Sequence, residues 1–205
     1  MGYIEGQNVA IEFLSAEGKY ERLPALASEL VGLKPRLILA STSASTQALK
    51  DLTTSIPVVM VAVSDPVSSG FVESLARPGA NLTGISINQV GLIQKQMQLL
   101  KEVQPTISRI AVTWNPSNPA HAAFLIEAEA ASTKLNVDVF GVQLVDGRIP
   151  KMLQGIISGK ADGVLVVGDT IVIRYRGLLI DFVNARRLPA IYTFQEDASE
   201  GGLIY

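Results

Sequence analysis

The sequence predicts an α/β fold built from two Rossmann-like lobes with parallel sheets. Strand-like and helix-like segments alternate along the 205 residues, and strands that alternate with helices form right-handed βαβ units. The run Pro57–Val63 is continuously apolar, which is typical of strands covered on both faces. The alternating pattern also runs twice, ending first near Ile87 and starting again near Arg109. We therefore expect a first lobe at residues 1–86 and a second at 87–205.

In the first lobe, β-rich runs predict four strands, and helical spacing predicts two helices. The first of these helices places leucines 23, 26, 30 and 33 on one side. The strands are predicted at Val9–Leu14, Arg36–Ala40, Pro57–Val63 and Leu82–Ile87, and the helices at Lys19–Leu33 and Ser43–Leu52.

The second lobe repeats the alternation with four strands and four helices. One helix start carries two signals, because Asn118 is a good N-cap and Pro119 suits the first helical position. The strands are predicted at Arg109–Trp114, Val137–Leu144, Gly163–Val167 and Ala190–Phe194. The helices are predicted at Gly91–Val103, Pro119–Leu135, Pro150–Ser158 and Ile171–Arg187. No low-complexity linker separates the lobes, so we expect them to share a hinge.

Composition weakens several classes of protein. The chain has no cysteine and one histidine, which excludes thiol catalysis, disulfides and histidine-rich zinc sites. His121 lies one turn into a predicted helix, where we expect a surface or packing residue. No phosphate-binding loop, dinucleotide fingerprint or nucleophile elbow is present, and no basic stripe indicates nucleic-acid binding. We therefore expect no cofactor, no metal and no enzymatic activity.

Polar residues follow the strands of the first lobe, at the edge where open α/β sheets bind ligands. Ser41–Thr46 (STSAST) holds five hydroxyl side chains in six residues. Such hydroxyls either cap the helix or leave its N–H groups to hold a carboxylate, and both interpretations stay open. Asp65 follows the next strand. It either accepts hydrogen bonds from a ligand amine or caps a short helix near Ser69.

Short polar groups also follow most strands of the second lobe. Asn115 and Ser117 are spare polar residues after one strand, and Asp169 is a predicted N-cap beside Thr170. Glu196 follows the last strand, between Gln195 and Asp197. The rings of Trp114, Tyr192 and Phe194 lie near strand ends, where they either flank a ligand or pack in the core. The repetition of polar groups at one edge predicts a binding site.

Five stretches resemble the bacterial ABC-transporter substrate-binding protein family related to the tryptophan/phenylalanine-binding lipoproteins. The phrases DPVSSG and LARPGANLTG are the most specific, and the resemblance spans essentially the whole chain. The stretches are Gly2–Val9 (GYIEGQNV), Ala16–Leu30 (AEGKYERLPALASEL), Ser55–Gly70 (SIPVVMVAVSDPVSSG), Leu75–Gly84 (LARPGANLTG) and Trp114–Asn118 (WNPSN).

The resemblance implies a type I periplasmic-binding-protein fold, in which two α/β/α lobes close on a small ligand. It implies that Ser41–Ser43 hold a carboxylate, that Asp65 holds an amine, and that the opposing lobe adds polar contacts. Together with the aromatic and acidic candidates, the expected ligand-binding residues are Ser41, Thr42, Ser43, Asp65, Trp114, Asn115, Ser117, Asp169, Thr170 and Glu196.

The expected function is that of the substrate-binding component of a bacterial ABC importer, capturing an amino-acid-like molecule or another small carboxylate. The expected partners are this ligand and a permease with its ATPase, and the expected location is periplasmic or anchored outside the cytoplasm. Two alternatives stay open: the ligand-sensing domain of a transcription regulator and, less favoured, an α/β hydrolase-type enzyme. A regulator would need an upstream helix-turn-helix.

The family resemblance also indicates truncation at both ends. Members of the family carry a first strand and helix before the phrase at Gly2, and a last strand and helix beyond Tyr205. We expect the first lobe to lack a central strand. The strand edges left by this loss would pair with another copy, giving a homodimer, or stay exposed.

Overall fold

The structure is a computed structural model that describes residues 2–87 and 90–205. It divides into two compact units, Met1–Ile85 and Ser86–Tyr205. Met1, at the start of the expected first lobe, lies outside the described residues. In this part of the chain, no helix has the length and apolar character needed to cross a membrane.

The first unit holds a three-stranded sheet and two helices. Strands β1 and β2 are parallel, with Ile38 opposite Val58 and Ala40 opposite Met60, and the strand order is β1-β2-β3. The elements are a 3-10 turn Tyr20–Arg22, α1 Leu23–Gly32, β1 Ile38–Ala40, α2 Ser43–Lys50, β2 Val58–Val63 and β3 Leu82–Ser86.

One face of this sheet carries the core of the first unit. Ile38, Val58 and Met60 are buried there, in one cluster with Ala27 of α1 and Leu49 of α2. Side chains alternate across a strand, and on the opposite face Leu39 is 66% exposed and Val61 is 44% exposed. The described helices therefore cover one face of this sheet, and its other face is apolar and open.

The predicted strand at Val9–Leu14 is wrong. These residues form no strand, and the segment is marked only by an isolated bridge between Glu5 and Val9. Ile11 and Phe13 are 61% and 84% exposed. A β-branched run supplies propensity, but a strand also needs a neighbour that takes its backbone hydrogen bonds. In the described residues this run has no such neighbour.

The second unit holds a four-stranded sheet in the order β5-β4-β6-β7. All three neighbouring pairs are parallel. The elements are a 3-10 turn Val90–Leu92, α3 Ile93–Val103, β4 Arg109–Trp114, α4 His121–Leu135, β5 Asp138–Gln143, α5 Ile149–Ser158, β6 Gly163–Val166, α6 Thr170–Ala185, β7 Ala190–Tyr192 and α7 Gln195–Ser199.

Both faces of the central strands are buried in the second unit. Ile110 and Val112 of β4 join one cluster with Met97 of α3 and Phe124 of α4. Ala111 alternates with them toward the other face and is also fully buried. Every residue of β6 is buried as well. This is the environment that continuous apolar runs predict for parallel strands.

The start of α4 differs from the prediction. The helix begins at His121, after a turn in which Asn118 N–H donates to the carbonyl of Asn115. The side chain of Asn118 accepts the N–H of Ala120 at 3.2 Å, so it serves this turn and is not the helix N-cap. Pro119 accordingly precedes the helix by two residues.

Candidate functional site

The ends of β4 and β6 bring several predicted residues together. These strands are neighbours, with Thr113 opposite Val166, so the loops that follow them leave the same edge of the sheet. The first loop supplies Asn115 and Ser117, and the second supplies Asp169 and Thr170. We call this group, with Asn118 and His121, the second-unit cluster.

Asp169 is the centre of the second-unit cluster. Its side chain is 0% exposed, and its carboxylate accepts hydrogen bonds from the Asn115 amide at 3.2 and 3.3 Å and from the Asn118 amide at 3.2 Å. It also accepts the backbone N–H of Ile171 at 2.9 Å, which makes it the N-cap of α6, as predicted. A buried charge is tolerated when such donors surround it.

Asn115 is held from three sides. Its amide donates to Asp169, its Oδ1 accepts the N–H of Ser117 at 2.9 Å, and its own backbone N–H donates to Nδ1 of His121 at 2.9 Å. The residue is 2% exposed. Ser117 itself is exposed, and Thr170 is half-buried. The most accessible polar residue of this cluster is therefore Ser117, while Thr170 and Asn118 are half-buried and Asn115 and Asp169 lie beneath them.

His121 was expected at the surface or in packing, and the structure gives the packing alternative: it is 1% exposed, with Nε2 3.6 Å from Asp169. Its contacts to Asn115 and Asp169 are what the sequence did not predict. Burial lowers the pKa of His121 below its ordinary 6.5, while the charge of Asp169 and a hydrogen bond to the Gly168 backbone oppose that shift. The sequence signal for His121 is its position in the first turn of the helix that follows β4, which places it at the same sheet edge as Asn115 and Asp169.

Aromatic and acidic candidates of the second unit lie apart from these contacts. A Cβ at Gly141 would lie 3.0 Å from Nε1 of Trp114, so this indole packs against the edge strand β5. Glu196 is exposed on α7. The next residue, Asp197, is instead fully buried; it pairs with Arg176 at 2.6 Å and accepts the N–H of Phe194 at 3.1 Å. Roles for Trp114 and Glu196 in ligand binding stay predictions.

Tyr192 and Phe194 take different positions. Tyr192 is 1% exposed and belongs to the core, and burial raises its pKa strongly. Phe194 is half-buried, and a Cβ at Gly168 would lie 2.8 Å from its ring. Phe194 therefore borders the loop that carries Asp169, whereas Tyr192 has a packing role.

The hydroxyl cluster of the first unit caps α2. Thr42 Oγ1 accepts the N–H of Ser45 at 3.1 Å, and Ser45 Oγ accepts the N–H of Thr42 at 3.0 Å, which is a reciprocal capping box. Ser43 Oγ accepts the N–H of Ser64 at 3.4 Å and so joins the ends of β1 and β2. Ser41 is exposed. The geometry accounts for capping by Thr42, and the ligand roles of Ser41, Thr42 and Ser43 stay predictions.

Asp65 lies in a turn after β2. Its Oδ1 accepts the N–H of Ser68 at 3.0 Å, and its carbonyl accepts the N–H of Ser69. The hydrogen bonds from Ser68 lower the pKa of Asp65, so its carboxylate is charged at neutral pH. Unlike Asp169, Asp65 is only half-buried. The short helix expected near Ser69 is a turn in the structure.

Residues 2–87 and 90–205 contain no group of three His, Cys, Asp or Glu side chains placed to hold a metal ion. The donors of the second-unit cluster are amides and an imidazole around one carboxylate. Chemically, this arrangement orients polar groups and fixes a loop. Together with the exposed Ser117 and the half-buried Thr170, it suits the binding of a small polar ligand.

Comparison with known proteins identifies relatives along the whole chain. The family model described as ABC transporter substrate binding protein matches residues 1–205. The tyrosine-binding protein of Clostridioides difficile strain R20291 is 29% identical over 202 residues, which are 98% of this chain and 58% of that protein. The chain therefore spans less than two thirds of this curated relative.

Solved structures share the fold. A conserved domain protein from Vibrio cholerae superposes with a TM-score of 0.86 at 27% identity, over 98% of this chain and 68% of its own. A protein from Streptococcus pneumoniae, solved in complex with L-Trp, gives 0.83 at 23% identity over 96% and 69%. The expectation of a type I periplasmic-binding-protein fold is confirmed.

Proposed function

Because this chain belongs to the ABC transporter substrate-binding protein family, we propose that it is the substrate-binding component of an importer for an amino-acid-like molecule. In the first unit, we assign the hydroxyl residues after β1 to a ligand carboxylate and Asp65 to an amine. In the second unit, we assign polar ligand contacts to Ser117 and Thr170, in the loops after β4 and β6. The protein performs no chemistry on its ligand.

The observation that carries this proposal is the second-unit cluster. Its buried carboxylate and amides fix two loops at the carboxyl edge of a parallel sheet, where open α/β folds bind ligands. Fixed polar groups give orientation and specificity at low entropic cost, which suits a binding protein. A relative is named tyrosine-binding, and another was solved with L-Trp. These names support an aromatic amino acid as the first ligand to test.

The wider role is also a proposal. We infer a permease with its ATPase as partners and a location in the periplasm or anchored outside the cytoplasm, because these properties accompany the family. We also propose that copies of the chain associate through the open edge and apolar face of the first sheet, where Leu39 and Val61 are exposed.

A thermal-shift experiment tests the ligand class. The protein is heated alone and with millimolar L-tyrosine, L-tryptophan, L-leucine or benzoate. Since a ligand that binds only the folded state stabilises it by mass action, we expect an aromatic amino acid to raise the melting temperature in a concentration-dependent way. Calorimetry then measures the affinity. No shift with any probe up to millimolar concentration would overturn the proposed ligand class.

A further inference from the structure

The single histidine of the chain joins two loops that are far apart in sequence. On one side, its Nδ1 accepts the backbone N–H of Asn115, in the loop after β4. On the other, its Nε2 lies 3.6 Å from the carboxylate of Asp169, in the loop after β6. His121 itself belongs to the first turn of α4. It therefore links three segments at one edge of the sheet.

These contacts fix the protonation state of the ring. Nδ1 accepts a hydrogen bond, so it carries no proton, and the proton of the neutral ring is on Nε2. Nε2 faces the loop after β6, where it lies 3.6 Å from the Asp169 carboxylate. A neutral imidazole with its proton on Nε2 presents an acceptor to the loop after β4 and a donor to the loop after β6. Of the twenty side chains, histidine is the one that combines a ring acceptor and a ring donor in this way.

The two loops need such a link because their accessible residues, the exposed Ser117 and the half-buried Thr170, are positioned by the buried Asn115 and Asp169. Ser117 is positioned through its N–H bond to Asn115, and Thr170 follows Asp169 directly. Asn115 and Asp169 are already bonded to each other. His121 adds a second connection, which is made through the backbone of Asn115 and so constrains the path of the chain as well as a side chain.

We propose that His121 is a positioning residue of the binding site: it holds the loops after β4 and β6 in fixed register so that Ser117 and Thr170 are presented to the ligand. This inference rests on the proposed function. His121 is 1% exposed and acts through the Asn115 backbone and the Asp169 carboxylate, without touching the ligand. Its loss therefore loosens the site and does not remove a ligand contact.

The first test is spectroscopic and needs no ligand. Because the chain has one histidine, long-range nitrogen–proton NMR spectra of the ring contain one residue. We expect the signature of an Nε2–H imidazole with unprotonated Nδ1 at neutral pH. A ring protonated on Nδ1, or one that exchanges rapidly between tautomers, would overturn the proposed link.

The second test measures affinity for L-tyrosine by calorimetry in wild type and three variants. His121→Phe keeps an aromatic ring but removes both polar contacts, and we expect affinity to fall about tenfold or more. His121→Asn keeps an acceptor for the Asn115 N–H, so it should restore part of that loss. Ile156→Val, a core change in α5, controls for a general loss of stability and should leave affinity within about twofold.

The outcomes separate this inference from the proposed function. Full affinity in folded His121→Phe would overturn the positioning role while leaving amino-acid binding intact. If wild type binds none of the amino-acid probes, the proposed ligand class fails. Hydrogen exchange then decides the role of His121 by itself. We expect faster exchange at the Asn115 amide, which donates to His121 Nδ1, in His121→Phe than in Ile156→Val, and equal rates would refute the link.

Discussion

Two aspartates that follow strands are held in different ways. The carboxylate of Asp169 is enclosed and accepts hydrogen bonds from two asparagine amides and one backbone N–H. Asp65 is half-buried and is held by Ser68 within its own turn. Asp169 is thus suited to organising its loop, and Asp65 is suited to contact with a ligand. Truncating the Asp169 side chain should therefore disturb its loop, whereas truncating the Asp65 side chain should weaken ligand binding.

Replacement of Asp65 tests its role in binding an amine. We expect Asp65→Ala to weaken binding of L-tyrosine by about 2 kcal/mol, the scale of a lost charged hydrogen bond. The desamino analogue of L-tyrosine lacks the amine, so its affinity should be the same in wild type and variant. Calorimetry measures both ligands, with Asp51→Ala as a control at an exposed aspartate of the same unit. Equal losses for the two ligands would contradict the assignment.

His121 also gives the protein a pH dependence of stability. Its pKa is lowered in the folded state, so below pH 6.5 the unfolded chain binds the proton more readily. The free energy of unfolding should therefore fall as pH decreases from 6.5 toward the folded pKa, by at most about 1.4 kcal/mol per pH unit. Denaturant unfolding at a series of pH values measures it.

His121→Phe is the control for this pH dependence, because it has no titrating group at this position. The lowered pKa of Asp65 acts in a separate window, since the stability it contributes is lost only as pH falls below 3.8. A variant with the same slope as wild type between pH 6.5 and 5 would show that another group is responsible.

At the scale of elements, sequence patterns predict a strand correctly where its residues prefer the strand conformation and the strand is also buried. The strand Arg109–Trp114 was predicted with its observed bounds, because both faces of this β-branched run are covered. The run Val9–Leu14 failed, since pairing depends on a distant neighbour and not on the run itself. The polar contacts of His121 were missed for a related reason: the loops it joins meet only after β4 and β6 pair.

Gly84 allows a close contact between strands β3 and β2. It ends the LARPGANLTG phrase, lies in β3 with φ of 143°, and a Cβ there would overlap the backbone of Met60 in β2. Gly84→Ala should lower the free energy of unfolding by about 2–4 kcal/mol through strain and overpacking. Gly32→Ala is the matched control, because nothing lies within 4 Å of the added atom.

Urea unfolding distinguishes these two variants. We expect Gly32→Ala to remain within about 1 kcal/mol of wild type, in the stabilising direction, because alanine is the better helix former. If Gly84→Ala unfolds at the same urea concentration as wild type, the close approach of β3 to β2 is not as described.

At the scale of the whole molecule, the two units differ in how their sheets are covered. The central strands of the second sheet are buried on both faces, whereas the first sheet exposes Leu39 and Val61 on one face and has β1 at its edge. Exposed apolar edge strands favour pairing with another chain. The first unit is therefore where we expect one copy of this protein to meet another.

Sedimentation velocity tests this association. We expect the average mass to rise above the 21.9 kDa of one chain as concentration increases. Leu39→Lys places a charge on the edge strand and should weaken association about tenfold or more, since burying an unpaired charge is costly. Ile126→Lys is the control, because Ile126 is 67% exposed on α4 of the other unit. It should leave association unchanged. A mass of one chain at every concentration, or equal effects of the two lysines, would refute pairing through β1.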